Sequence, residues 1–309
     1  MSILITGAEG FVGHNLAELF SNEKYSVLLP TKDELDLTNF DIVGKYLKDN
    51  PVETIIHCAT TLRDGTSYPP NTCQNNLRMF FNLQQHMTRS MKMINLGSGS
   101  EYTRKYWHKK MPEEYFGEQV PDDEHSYAKY LISKYISDTD YENLICLRIF
   151  GVFGKYEDYR YKFISNAIVK NLLKLPIVIN QNVIYDYIYI NDFFRIVLFF
   201  VKNRTKNRIY NVTPTESIDL LTIAGIINKS SENKSEIYVL NEGIGVEYSG
   251  NNRKLLSEIG GFQFTPPTVS IRDLYEYYKE RVNSLDAEAI KEDAYLGYAK
   301  KLHHEYFRK

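Results

Sequence analysis

Apolar positions along the chain fall into two textures. The first begins with Ile3-Leu4-Ile5, which runs into glycines at 7, 10 and 13 and then into Leu16, Leu19 and Phe20 at helical spacing. That pattern predicts a strand, a tight turn and a helix. Short apolar runs at 25–29, 53–59, 91–96 and 144–150 predict further strands. Between them, residues 75–87, with Leu77, Phe80, Phe81 and Leu83, and residues 126–137 predict helices, while 101–124 reads as a polar, aromatic loop. Strand and helix alternating over 2–150 predicts a parallel, doubly wound α/β sheet. Beyond residue 150 the texture changes. A tyrosine-rich loop at 151–161 precedes a helix at 163–175, a strand at 183–190, a helix at 192–202 and a strand at 209–212. Helices follow at 220–227, 271–281 and 287–302, with a polar loop at 243–254 and a turn at Pro266-Pro267.

Composition narrows the function classes. The 309 residues suffice for two subdomains, and 37 Lys+Arg against 39 Asp+Glu leave no basic stripe for nucleic acid. The three cysteines are odd in number and widely spaced, as in a reducing compartment. The seven histidines lack metal-ligand spacing, so no metal is expected. The longest apolar run is too short to span a bilayer, and the chain enters its first strand without a hydrophobic leader. These features predict a cytoplasmic protein with no membrane partner.

Candidate chemistry begins at the turn. Gly7, Gly10 and Gly13 follow a strand and open a helix, the context in which glycines admit a dinucleotide pyrophosphate to backbone N–H groups. The second strand ends at Pro30-Thr31-Lys32, without an acid. Lys32 is therefore a candidate for the 2′-phosphate of NADP, and otherwise a solvated lysine. Asp36 reaches adenine, or Thr38 caps the next helix. Ala59, Thr60 and Thr61 end a strand where a cofactor would border it, and His57 reads as a packing residue. A lysine four residues after a tyrosine stabilises a phenolate for proton exchange with a carbinol or carbonyl oxygen. With 25 tyrosines this spacing is cheap; of Tyr106/Lys110, Tyr130/Lys134 and Tyr275/Lys279, only the second lies on a helix between two sheet strands.

Taken together, Gly7-Ala-Glu-Gly10-Phe-Val-Gly13, His57-Cys-Ala59, Leu96-Gly-Ser98-Gly-Ser100-Glu-Tyr102, Tyr130-Leu-Ile-Ser-Lys134, Leu147-Arg148 with Gly151-Val-Phe-Gly154, and Tyr185-Asp186 through Asp192 resemble the extended short-chain dehydrogenase/reductase superfamily, in its nucleotide-sugar epimerase/dehydratase branch. The resemblance implies a Rossmann doubly wound sheet over 1–150, with 183–212 returning to it. It also implies a smaller mixed α/β substrate domain from 151–182 and 213–283, followed by a helical tail at 284–309. It assigns Ser98 as catalytic hydroxyl, Tyr130 as general acid/base and Lys134 as the residue that binds the nicotinamide ribose and tunes Tyr130. Phe11 and Val12 donate amides to the pyrophosphate. A homodimer through 75–87 and 126–137 is implied in the same way.

Departures from the branch set the expected reaction. The acidic pair that follows the catalytic hydroxyl in its dehydratases is Gly99 and Ser100 here, which argues against 4,6-dehydration. The segment 31–35 is similar to that of GDP-fucose synthase-type 4-keto sugar reductases. Ser100 and Lys162 fall where those enzymes keep a cysteine and a histidine for 3,5-epimerisation. Tyr185 replaces an arginine that holds the substrate pyrophosphate, so Arg148, Lys155, Arg160, Lys162 or Arg253 would supply that charge. The expected function is NADPH-dependent reduction of a 4-keto deoxy sugar on a nucleotide. The alternatives are an NAD-retaining 4-epimerase and a non-catalytic dinucleotide-binding module.

Overall fold

A computed structural model describes residues 1–63 and 67–307. The last two residues of the expected tail, Arg308 and Lys309, lie outside the described residues. The first half runs β1 (Ser2–Thr6), α1 (Phe11–Asn22), β2 (Ser26–Leu28), α2 (Phe40–Asp49), β3 (Thr54–His57), α3 (Thr72–His86), β4 (Lys92–Ser98), α4 (Glu124–Asp138) and β5 (Leu144–Ile149). The second half runs β6 (Gly151–Phe153), α5 (Phe163–Leu172), β7 (Ile177–Asn182), β8 (Ile184–Tyr185), β9 (Tyr187–Tyr189), α6 (Ile190–Lys202), β10 (Ile209–Val212), β11 (Ile218–Asp219), α7 (Leu220–Ser230), β12 (Ile237–Ile244), α8 (Arg253–Ile259), α9 (Pro267–Lys279), α10 (Ala287–Lys291) and α11 (Ala294–Phe307).

Six parallel strands form the central sheet in the order β10-β5-β4-β3-β1-β2, so the chain starts in the middle and winds outward both ways. This is the expected Rossmann architecture. Its strands are covered on both faces, which explains their unbroken apolar runs: every residue of β1 and of β3 is buried. One apolar cluster joins Ile3, Ile5 and Leu16 to Phe193, Phe200 and Ile271. A second lies on the opposite face, around Leu4, Ile55, Phe80 and Ile136.

Several boundaries differ from the sequence reading for local reasons. Asn39, not Thr38, caps α2, its Oδ1 accepting from the amides of Asp41 and Ile42 at 3.1 Å. Asp123 caps α4 through Ser126 N at 2.9 Å, so that helix starts at Glu124, ahead of the expected 126. The expected strand at 183–190 is broken into β8 and β9, because Asp186 between them is buried and takes bonds from Lys110, Thr213, Ser217 and the Gly250 amide. The strand pair β7 and β12 was not foreseen; β12 is mostly exposed and carries no alternating apolar signal. The expected helix at 287–302 is two helices, separated at Asp293, whose φ is +51°. Among the described residues no helix is long and apolar enough to cross a membrane.

Candidate active site

The glycine turn is built as its spacing requires. Gly7 has φ +67° and lies so close to β3 that a Cβ on it would stand 2.8 Å from the Ala59 backbone. A Cβ on Gly13 would stand 2.2 Å from the Gly7 carbonyl oxygen. Gly10 N donates to that same oxygen at 3.0 Å, and a Cβ at Gly10 would meet nothing nearer than 3.4 Å. Helix α1 starts at Phe11 with no side-chain cap and no acid in its first turn. The first amides, those of Phe11 and Val12 included, lack intrahelical partners, so the turn suits the phosphates of a dinucleotide. Thr6 Oγ1 fixes the floor, bonded to His57 Nδ1 at 2.9 Å and to Ala59 N at 3.2 Å. Burial pushes the His57 imidazole down to about 3, consistent with a packing role. Asn76 of α3 holds the next stretch, accepting from Thr60 Oγ1 and Thr61 N. Beyond β2, Lys32 is exposed. Asp36 is engaged in its own turn: it accepts from Thr38 N and Oγ1 at 2.9 and 2.7 Å, which holds its carboxyl below the usual range.

Strand β4 delivers Ser98 to the same edge of the sheet. A 3-10 turn, Gly99–Tyr102, follows, and Ser98 and Glu101 cap it reciprocally. Ser98 Oγ accepts from Ser100 N at 3.1 Å and Ser100 Oγ at 2.9 Å. Glu101 accepts from Ser98 N at 2.7 Å with one oxygen and from Arg148 Nε at 2.6 Å with the other. Gly99 is walled in: a Cβ there would lie 2.9 Å from the Phe150 ring and from the Tyr248 hydroxyl. The expectation that Arg148 binds substrate is corrected. Its guanidinium is buried, paired with Glu101, bonded to Tyr102 Oη at 2.9 Å and stacked 3.9 Å over Phe116. Its charge is neutralised inside the fold.

Helix α4 forms the third wall, and here the tertiary structure changes the assignment. Its sheet-facing stripe includes Lys129, Ser133 and Ile136. Lys129, only 8% exposed, donates Nζ to the Leu96 carbonyl at 2.6 Å, two residues before Ser98. Burial lowers its ammonium, opposed chiefly by the Glu101 carboxylate. One helical turn earlier, His125 stacks on Tyr68 with ring centroids 4.5 Å apart and planes 5° from parallel. The pair Tyr130/Lys134 is corrected as the redox pair. Lys134 is 52% exposed and bonded to Asp138 at 2.8 Å, while the Tyr130 ring is enclosed against Phe116 at 4.9 Å. Neither His125 nor Lys129 was selected from the sequence. The available signal was a lysine in line with the buried positions 126, 132, 133 and 136 of a helix.

The remaining candidates lie toward the second half. Lys162 is exposed at the start of α5, and its charge acts on His125. Tyr185 packs between Tyr187 and Tyr248, with ring centroids at 5.3 and 5.8 Å. Arg253 is exposed at the first position of α8. Arg160 is paired with Asp158 at 2.9 Å. The tail helix α11 approaches the dinucleotide half: Arg63 lies 4.6 Å from the Tyr68 ring and 5.1 Å from that of Tyr298. Among the described residues no cluster of His, Cys, Asp and Glu suited to a metal is assembled.

A glycine-turn cradle and a buried lysine behind a strand-end serine define a dinucleotide-dependent enzyme site. Residues 3–213 match the NAD dependent epimerase/dehydratase family, and the chain belongs to that family. A curated relative, the ADP-L-glycero-D-manno-heptose-6-epimerase of Brachyspira hyodysenteriae (strain ATCC 49526 / WA1), is 23% identical over 271 residues, 77% of this chain and 83% of the relative. Among solved structures, a GDP-L-fucose synthetase from Naegleria fowleri superposes with TM-score 0.77 at 16% identity, covering 92% of this chain and 94% of that one. The GDP-mannoheptose C4 reductase from Campylobacter jejuni with NADP bound gives TM-score 0.76 at 18% identity, covering 90% and 98%.

Proposed function

We propose that the chain is an NADPH-dependent reductase of a 4-keto deoxy sugar carried on a nucleoside diphosphate. The observation that carries this reading is that, among the described residues, no free carboxylate stands beside Ser98. Gly99 is walled in by Phe150 and Tyr248, and Glu101 is buried against Arg148. Among the described residues, acid/base chemistry at a sugar carbon, which dehydration requires, has no group to perform it there. Proton exchange at a sugar oxygen is what the remaining groups support.

In this reading Gly7, Gly10 and Gly13 with the amides of Phe11 and Val12 hold the pyrophosphate, and Lys32 meets the 2′-phosphate. Ala59 and Thr60 border the dinucleotide, Asp36 lies near its adenosine end, and Lys129 takes the ribose role expected of Lys134. When bound, the reduced nicotinamide supplies a hydride to the carbonyl carbon, is itself oxidised, and leaves the former π pair on oxygen. Ser98 donates a hydrogen bond to that oxygen. Ser100, Lys162, Tyr185 and Arg253 contact the nucleotide sugar. The GDP-sugar enzymes among the structural neighbours support this substrate class. A homodimer packs through α3 and α4 and works in the cytoplasm; light scattering measures the subunit number.

The test is loss of absorbance at 340 nm with NADPH and a panel of 4-keto-6-deoxy sugar nucleotides on GDP, UDP, CDP and dTDP. Stoichiometric oxidation with one of them is expected. The relative from Brachyspira is named as an epimerase, which keeps a second reading in view. Tightly held NAD released on denaturation, with sugar interconversion and no net redox change, replaces reductase by epimerase.

A further inference from the structure

We propose that His125 is the group that gives the substrate's carbonyl oxygen its proton, in the place where a tyrosine was expected. The inference rests on the reductase reading above and names the acid within that site. Positions 125 and 129 are four residues apart on one helix and share a face. Lys129 is anchored at 2.6 Å on Leu96 O, so this face of α4 is aligned with the end of β4 that carries Ser98. Ser133, one turn on from Lys129, bonds Cys146, which pairs with Asn95, so α4 runs back along β4 and its first turn lies toward Ser98; the 3-10 turn beginning at Gly99 packs against α4.

The condition of the ring is the second observation. His57 is bonded to Thr6 Oγ1, while His86 packs on Phe40 with its Nε2 buried and unpartnered among the described residues, so an unpartnered nitrogen alone marks no site. The His125 ring is held flat against Tyr68 on the helix face that carries Lys129, and among the described residues its Nδ1 is buried with no hydrogen-bond partner. A buried ring nitrogen without a partner leaves a hydrogen bond to be made, and at this place an arriving substrate oxygen supplies it. The competing phenol is removed from this role, because Tyr130 packs on Phe116 and Lys134 pairs with Asp138 at the surface.

The reaction balances without another reagent. The carbonyl carbon gains a C–H bond from the hydride, the C=O π bond breaks, and the oxygen gains an O–H bond from the imidazolium of His125. The imidazole then recovers a proton from water. The charged groups facing the ring are Lys129 and Asp123 on α4 and its cap, Arg63 after β3, and Lys162 at the start of α5; Tyr68 covers one face. Burial, then Lys129, pushes the imidazole down to about 3, with Arg63 and Lys162 acting the same way and Asp123 opposing. The protonated fraction therefore rises about tenfold for each pH unit lowered through neutrality. A phenol, with an ordinary value near 10, stays protonated over the same range.

The test compares wild type, His125→Gln, His125→Tyr and Tyr130→Phe. Single-turnover reduction is followed from pH 5.5 to 8.5, and NADP⁺ binding is followed separately by ¹⁵N-resolved imidazole resonances. H125Q is expected to lower the reduction rate by roughly 10²–10⁴-fold with NADP⁺ affinity within twofold of wild type. Tyr130→Phe is expected to stay within threefold. Wild type should slow about tenfold per pH unit, and H125Y should flatten that profile. The His125 resonance, assigned by its loss in H125Q, should shift on NADP⁺ saturation. Full reduction by H125Q, or an equal loss in Tyr130→Phe, overturns the proposal. If no keto sugar is reduced by wild type, the reductase reading fails. The resonance then decides the place of His125: a shift on NADP⁺ sustains it beside the cofactor, and an unmoved resonance overturns it.

Discussion

Arg148 Nε and Glu101 Oε2 lie 2.6 Å apart, with side chains 2% and 0% exposed, directly beneath the strand-end serine. The same carboxylate caps the Ser98 amide, so a buried ion pair sets the position of the hydroxyl proposed for catalysis. Glu101→Ala leaves a guanidinium buried and uncompensated. It should cost about 3–5 kcal/mol of stability, read from urea denaturation of the two proteins side by side. Unchanged stability would mean that water reaches Arg148.

The glycines separate folding from binding. Gly13→Ala places a methyl 2.2 Å from the Gly7 carbonyl oxygen, and backbone has to move to admit it. That variant should lose both thermal stability and cofactor affinity. Gly10→Ala meets nothing closer than 3.4 Å and should keep its Tm. It should bind NADPH at least roughly tenfold more weakly, because the methyl occupies the approach of the phosphate. Fluorescence titration and a melting curve together read the difference.

Lys32 stands exposed beyond β2, next to Asp36 in the charge map of that loop. Lys32→Ala should lower the preference for NADPH over NADH by roughly tenfold, the value of one charge-assisted phosphate contact. Binding of NADH itself should be unchanged. An unaltered ratio of the two dissociation constants removes Lys32 from the cofactor site.

Two buried groups give the stability an opposing pH dependence. His57 is held at about 3, below its unfolded value of 6.5, so its contribution is complete above pH 6.5 and lost as pH falls toward 3. At pH 5 the loss is about 2 kcal/mol. His57→Asn should remove this slope between pH 6.5 and 5.

Glu157 works in the other direction. Burial raises its carboxyl to about 7, from 4.5, although Lys162 and the bond from Ser165 Oγ oppose the shift. Its favourable term is complete below pH 4.5 and is lost as pH rises through 7. Glu157→Gln should therefore flatten the decline between pH 5 and 8, seen in urea midpoints across that range.

Much of the fold was legible along the chain. The glycines at 7, 10 and 13, the apolar strands and the helices between them settled a parallel, doubly wound sheet, since each of those signals is local. Ser98, named through the resemblance, ends β4, whose C-terminal edge is the binding edge of such a sheet. The phase of α4 was not. Each residue turns a helix by about 100°, and the buried stripe of this one includes a lysine and a serine, so apolar pattern alone left its facing open. Tyr130 fitted a familiar spacing, but only packing against β4 decided that Lys129 and His125 turn inward while Lys134 meets solvent. The fate of Arg148 was closed to sequence for a related reason. Whether a cation meets a ligand or a buried carboxylate depends on a partner 47 positions away, and that neighbour exists only once β4 and β5 are paired.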